Sequence, residues 1–346
     1  MYVYQTDCTM KSKVNIFLIV LPLLFLASCE CSRREKVPLD EIDVTIEVLR
    51  FDRDLFSINT DSVHVGVEGM QEIYGDFFSL FTEGVIGIGT PDDDGFEIYL
   101  TSFIEDRMVS ETYQKVQSVF QNTKDLDLEL TNAFKRYKYY FPNREVPVIY
   151  SFVSGFNNSV IIAENILAVG FDRYLGRDCE YYTLLGLHKY LQYNMHPKKI
   201  PSDLIRSWGF GEFQFNDSID NLLNNMIYEG ALMYFTKQLL PQQSDSLVFG
   251  FTPEQMKWCQ HNEKEMWAYL VEHKLLFKTD AFMVNQYVSD APFTINFSNE
   301  SPGRAVVWLG YRIVSEFMKR NPDYTLDLLM EEKDYQKIMN RARYNP

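Results

Sequence analysis

Histidine and cysteine are scarce: the 346-residue chain holds five of each, and neither type falls at metal-binding spacing. No HExxH, CxxC, GxSxG, P-loop or GxGxxG occurs. That removes the usual signatures of zinc peptidases, serine hydrolases and nucleotide enzymes. Positive charge is also short, with 33 Lys and Arg against 48 Asp and Glu, a formal net charge of −15. A chain of that sign does not grip nucleic acid through phosphates or lie on anionic lipid through a basic face. No repeat and no Gly/Ser/Pro-rich joint interrupts the chain after residue 45, so a single compact unit is expected. Beyond the N-terminal segment, no apolar run approaches the about 20 residues that span a bilayer.

At the N-terminus, Lys11 and Lys13 precede an almost continuous apolar run from Val14 to Leu26, and Leu26-Ala27-Ser28-Cys29 follows. A basic stretch, an apolar stretch and then small residues make an export signal. Leu-Ala-Ser-Cys resembles the bacterial lipobox, which implies a lipid on Cys29 after cleavage. Residues 1–28 are therefore read as a lipoprotein signal peptide, 29–43 as a lipidated tether and 44–346 as a single domain. Cys31, Cys179 and Cys259 then form an odd set. A Cys179–Cys259 bridge is open in an oxidising envelope, but spacing does not select it.

Aromatic residues are plentiful, with 22 Tyr and 26 Phe, and 46% of the chain is hydrophobic, ample for an ordered core. Val44, Ile46 and Val48 alternate with polar residues, as a strand does. Helical periodicity runs from about Glu68 to Tyr140, until Pro142 and Pro147 interrupt it. Val146–Val153, Val160–Ala163 and Ile166–Phe171 read as strands, with a turn at Ser154–Asn158. Helices follow at Tyr181–Met195, Ser218–Leu240 and Pro302–Arg320. Another opens on Thr252-Pro253-Glu254-Gln255, a capping box with Pro at the first helical position, and runs to about His273. The fold class is α+β, mostly helical, with a small sheet of three or four strands in the middle of the chain.

One constellation has the shape of a site. On a helix over 181–195, His188 and Gln192 share a face at i and i+4. They take the two ligand positions of a zinc-peptidase helix, yet Lys189 stands where the general base belongs and neutral Gln192 where the second His belongs. Glu229 falls on one stripe with Leu222, Met226 and Met233, so burial is expected there. A buried carboxylate needs a partner, and His188, Lys189, a metal, or an Arg or Tyr from elsewhere would serve. The plain reading is a structural Glu, hydrogen-bonded inside the core. His188, Lys189, Gln192 and Glu229 are therefore candidates for a degenerate site, with no catalytic or metal-binding role assigned to any of them.

Several blocks together resemble the gliding-motility lipoprotein GldB family of Bacteroidota. They are Arg50-Phe51-Asp52-Arg53-Asp54-Leu55-Phe56, Ser154-Gly155-Phe156-Asn157 and Gly170-Phe171-Asp172-Arg173-Tyr174-Leu175-Gly176. Met226-Ile227-Tyr228-Glu229-Gly230, Gly250-Phe251-Thr252-Pro253-Glu254-Gln255 and Ala291-Pro292-Phe293-Thr294 follow. Trp308-Leu309-Gly310-Tyr311-Arg312-Ile313-Val314 and Arg343-Tyr344-Asn345-Pro346 complete the series. The resemblance implies an envelope lipoprotein of a motility or secretion complex, with an outer-membrane anchor facing the periplasm and other envelope proteins as partners. It also implies a degenerate zincin-like architecture, used as a scaffold. No cofactor is expected and no nucleic acid is a partner. Two other readings stand beside it: a zinc metallopeptidase using His188, Glu229 and a further ligand, and a surface lipoprotein that captures glycans.

Overall fold

The computed structural model describes Met1 and residues 37–346. The signal segment and Cys29 lie outside the described residues, as does Cys31. The chain splits into two units, and the second, Leu39–Pro346, is compact and carries every element below.

A four-stranded sheet divides the second unit into two cores. Its strands are β1 (Val48–Leu49), β2 (Val148–Phe152), β3 (Val160–Ala163) and β4 (Ile166–Gly170). They lie in the order β1-β2-β4-β3; β2 is parallel to β1 and β4, and β3 runs antiparallel to β4. Successive side chains of a strand point to opposite faces. Ile149, Val153, Leu167 and Val169 thus enter the larger core, while Phe152 and Ala168 enter the smaller one. Covering both faces is what allows these strands to be largely apolar.

The smaller core gathers α1 (Phe51–Leu55), α2 (Val63–Tyr74), α3 (Asp76–Ser79) and α4 (Phe96–Glu105). Phe51 is its hub, with the rings of Tyr74, Phe77 and Phe81 edge-on at 5.0, 4.9 and 4.9 Å. The helical stretch read from Glu68 onward is broken here at Gly75, Gly87, Gly89 and Gly95. All four have positive φ, which glycine takes without steric cost. Next to this core, Asp52 is fully buried and bridged to Arg50 at 2.7 Å. Gln117 Nε2 and Ser151 Oγ donate to the same carboxylate at 2.9 and 2.6 Å. The Arg-Phe-Asp-Arg block therefore ties α1 to β2 and to α5 (Arg107–Val119).

The larger core is helical. It holds α6 (Lys124–Tyr140), α7 (Glu180–Leu184), α8 (Lys189–Gln192), α9 (Ile200–Glu212), α10 (Leu222–Leu239) and α11 (Asp245–Phe249). After these come α12 (Pro253–His261), α13 (Glu263–Glu272), α14 (Ala281–Val288), α15 (Ala305–Arg320), α16 (Leu326–Glu331) and α17 (Tyr335–Ala342). The capping box at Thr252 is present with both of its hydrogen bonds. Cys179 and Cys259 are buried and free.

Further expectations need correction, and the helix read from Pro302 begins at Ala305. The helix read over Tyr181–Met195 is two short helices. Gly186 has φ +71°, its N–H donates to the Thr183 carbonyl, and Leu187 N–H reaches back to Tyr182. That pairing is a Schellman C-cap, and it leaves His188 in extended conformation as the N-cap of α8. His188 and Gln192 therefore share no helical face. The segment 44–48 keeps its alternating burial, but only Val48–Leu49 join the ladder. Ile46 and Val48 instead donate their N–H groups to Thr131 and Asp127 side chains of α6. The helix read from Ser218 begins at Leu222, capped by the Asn221 side chain. The helix read from Thr252 to His273 stops at Asn262 and restarts as α13.

Candidate functional site

Helix α9 builds the floor of the candidate site. Ile200, Leu204, Ile205 and Trp208 turn into the core, which leaves Lys199, Asp203 and Arg206 at i, i+4 and i+7 on the opposite stripe. Gly209 brings this helix close to α10, since a Cβ there would sit 2.9 Å from the Phe235 ring. At that crossing the Arg206 guanidinium meets the Glu229 carboxylate at 2.6 Å, with side chains 29% and 16% exposed. The partner that Glu229 requires is therefore an arginine. Burial pulls Arg206 toward its neutral form, but the Glu229 charge and hydrogen bond outweigh it and raise its pKa above the ordinary value.

A second pair lies one turn away. Lys199 Nζ is 2.7 Å from Asp203 Oδ1 and also donates to Ser202 Oγ and the Val248 carbonyl. Burial pushes the Lys199 pKa down, against the pull of Asp203. Tyr174, on the turn that follows β4, donates its hydroxyl to the other oxygen of Asp203 at 2.9 Å. Burial, and then Asp203, raise the Tyr174 pKa well above its usual value. Across the cleft, Arg304 bridges Asp290 at 3.1 Å and donates to the Phe249 carbonyl.

These groups open onto one cleft of about 910 Å³. Its charged lining is Arg173, Lys189, Lys199, Arg206 and Arg304 against Asp203, Glu229 and Asp290. The cleft is thus net cationic in a chain of net charge −15. Tyr174, Tyr190 and Tyr193 add aromatic walls, and Ser159 and Val160 of the β3 end complete one side.

Of the residues singled out in the sequence, Lys189 and Glu229 line this cleft together. His188 is exposed and stacks on Tyr190, ring centroids 5.6 Å apart. Gln192 is buried: its Nε2 donates to the Leu187 carbonyl at 2.7 Å, and its Oε1 accepts from Lys189 at 3.2 Å. Both Gln192 bonds serve the Schellman turn and the first residue of α8. Arg206, Asp203, Lys199, Arg173 and Arg304 were missed. A legible signal existed for three of them, because charges at Lys199, Asp203 and Arg206 repeat at helical spacing between apolar residues. Among the described residues, no group of three or more His, Cys, Asp or Glu is placed to hold a metal ion. No helix among them is long and apolar enough to cross a membrane.

Residues 32–346 match the model of a family described as Gliding motility protein GldB. No curated protein and no solved structure matches the chain.

Proposed function

Because this chain belongs to the gliding motility protein GldB family, we propose that it is an envelope lipoprotein that works by binding rather than by catalysis. The lipid on Cys29 anchors it, in the outer membrane and facing the periplasm, and its partners are other envelope proteins of a motility or secretion complex. The cleft over α9 and α10 is its binding site, a peptidase-like site without peptidase chemistry.

The Arg206–Glu229 pair carries this reading. A glutamate held 2.6 Å from a guanidinium has its charge compensated by a group that stays protonated at any physiological pH. Arginine neither ligates a metal nor accepts a proton. The α9 residues that line the cleft near Glu229 are Asp203, Arg206 and Ser207, none of them a histidine. With its charge taken up by Arg206, Glu229 offers no free carboxylate for a metal, which supports the binding reading.

The test joins two measurements on the purified full chain. Elemental analysis is expected to find no stoichiometric metal, and about one zinc per chain would overturn the non-catalytic reading. Fractionation of cells carrying Cys29→Ser is expected to release the protein from membranes. Unchanged membrane retention would overturn the lipid anchor.

A further inference from the structure

β3 forms one edge of the sheet, and its register decides which backbone groups face outward. Gly170 N–H donates to the Ser159 carbonyl at 3.0 Å, so Ser159 and Gly170 are a hydrogen-bonded pair. Such pairs alternate with non-bonded ones along an antiparallel ladder. Ile161 with Ala168 and Ala163 with Ile166 are then the bonded pairs of β3 and β4. The N–H and C=O groups of Val160 and Ile162 point away from the sheet, and among the described residues no strand pairs with them.

Open edges are usually blunted by shortness, a charge, a proline, a bulge or a covering element. β3 is short, but its Val-Ile-Ile-Ala carries no charge or proline and its register no bulge. Helix α9 packs against the strand, with Gly211 so near that a Cβ would lie 3.0 Å from Ile162. Ser159 and Val160 line the same cleft as Arg173 and Lys189. Lys199, Arg206 and Arg304 are paired with carboxylates at 2.7, 2.6 and 3.1 Å. Arg173 instead donates to Ser159 Oγ and the Phe156 carbonyl, and Lys189 to Gln192. Among the described residues, neither has a carboxylate at ion-pair distance. The uncompensated charge of the cleft is positive, and Arg173 holds part of it against Ser159, at the head of the open strand.

We infer that the cleft takes an extended, acid-bearing segment of a partner protein, which adds to β3 as a further strand. Val160 and Ile162 supply the backbone hydrogen bonds, and Arg173 and Lys189 receive the segment's carboxylate. This assignment rests on the binding reading above and names what is bound.

The test selects a display library of random dodecapeptides on the detergent-solubilised full chain, on Val160→Pro and on Arg173→Gln/Lys189→Gln. Proline at 160 removes only an N–H that the sheet does not use, a position where an edge strand tolerates it. Sequences carrying Asp or Glu are expected to enrich on the native chain and to bind both variants weaker by on the order of tenfold. Absence of enrichment, or equal binding to Val160→Pro, would overturn the proposal. Should Val160→Pro not fold, N-methylation of alternate backbone nitrogens in the best binder gives the same readout on the native protein. Undiminished binding of the methylated peptides would then overturn strand addition. Cleavage of bound peptide would sink the non-catalytic reading and leave the peptide assignment standing. A metal-free chain that binds no peptide would do the reverse.

Discussion

Gly230 of α10 and Gly310 of α15 meet where the two helices pack with their backbones in near contact. A Cβ on Gly310 would lie 1.7 Å from the Met226 carbonyl oxygen, and one on Gly230 would lie 2.2 Å from the Gly310 carbonyl carbon. Neither clash is with a flexible side chain, so the helices themselves would have to part. Glu229 precedes Gly230 directly, and the crossing thereby helps set where its carboxylate stands beside Arg206.

Gly310→Ala is accordingly expected to destabilise the protein by roughly 3 kcal/mol, as overpacking of a tight contact does. Gly69→Ala makes the contrast. It lies inside α2 with nothing within 4 Å of its added Cβ, and up to about 1 kcal/mol of stabilisation is expected from helix propensity. Urea midpoints of the two variants check both signs. A Gly310→Ala midpoint equal to that of the native chain would contradict the close crossing.

The Arg206–Glu229 pair predicts non-additive substitutions. Arg206→Met alone strands a poorly solvated carboxylate and should cost about 3 kcal/mol, while the double variant Arg206→Met/Glu229→Gln should recover part of that loss. A double-mutant cycle in denaturant measures the coupling, and a value near zero would show the pair to be energetically idle.

The buried Asp52 has a full complement of partners in Arg50, Gln117 and Ser151. Asp52→Ala leaves the Arg50 guanidinium without its carboxylate, and a loss of about 3–5 kcal/mol is expected. Arg50→Lys should not preserve stability, because two of the guanidinium nitrogens, Nε and Nη2, bond the carboxylate at 2.8 and 2.7 Å and an ammonium lacks that fork. Chemical denaturation of the two variants decides, with a native-like Arg50→Lys midpoint as the contrary result.

Asp172 should make stability fall as pH rises. Its Oδ2 accepts from the Ser154 and Phe156 N–H groups at 2.9 and 2.7 Å, yet Oδ1 is buried without a partner. Burial raises its pKa to about 6 despite the two amide bonds. The unfolded value is about 3.9. Between about pH 4 and pH 6 the folded chain therefore holds a proton that the unfolded chain has lost, and stability declines through that window. Asp172→Asn should flatten this part of the profile in denaturation series at pH 4, 5, 6 and 7. An unchanged slope would remove Asp172 as the source.

Signals carried by a few neighbouring residues were legible in the sequence. The capping box at Thr252 and the strand Val160–Ala163 were of this kind, because local hydrogen bonding and a β-branched apolar run beside a turn do not depend on distant partners. The Schellman turn at Leu185-Gly186-Leu187 was equally local. It was overlooked because the apolar period runs on through the glycine, and His188 was thereby placed on a helix face that does not exist. Along 44–48 the burial does alternate. The backbone nevertheless found its partners in α6 side chains more than 75 positions away in sequence, Thr131 and Asp127.

The sequence alone determined that Glu229, set in an apolar helical stripe, must have a partner, since a lone buried carboxylate is too costly to keep. Only the tertiary structure decided that the partner is Arg206, 23 positions earlier. That choice depends on how closely α9 and α10 approach, through Gly209 against Phe235. A one-dimensional pattern records the need for a counter-charge, and the packing of two helices selects which one meets it.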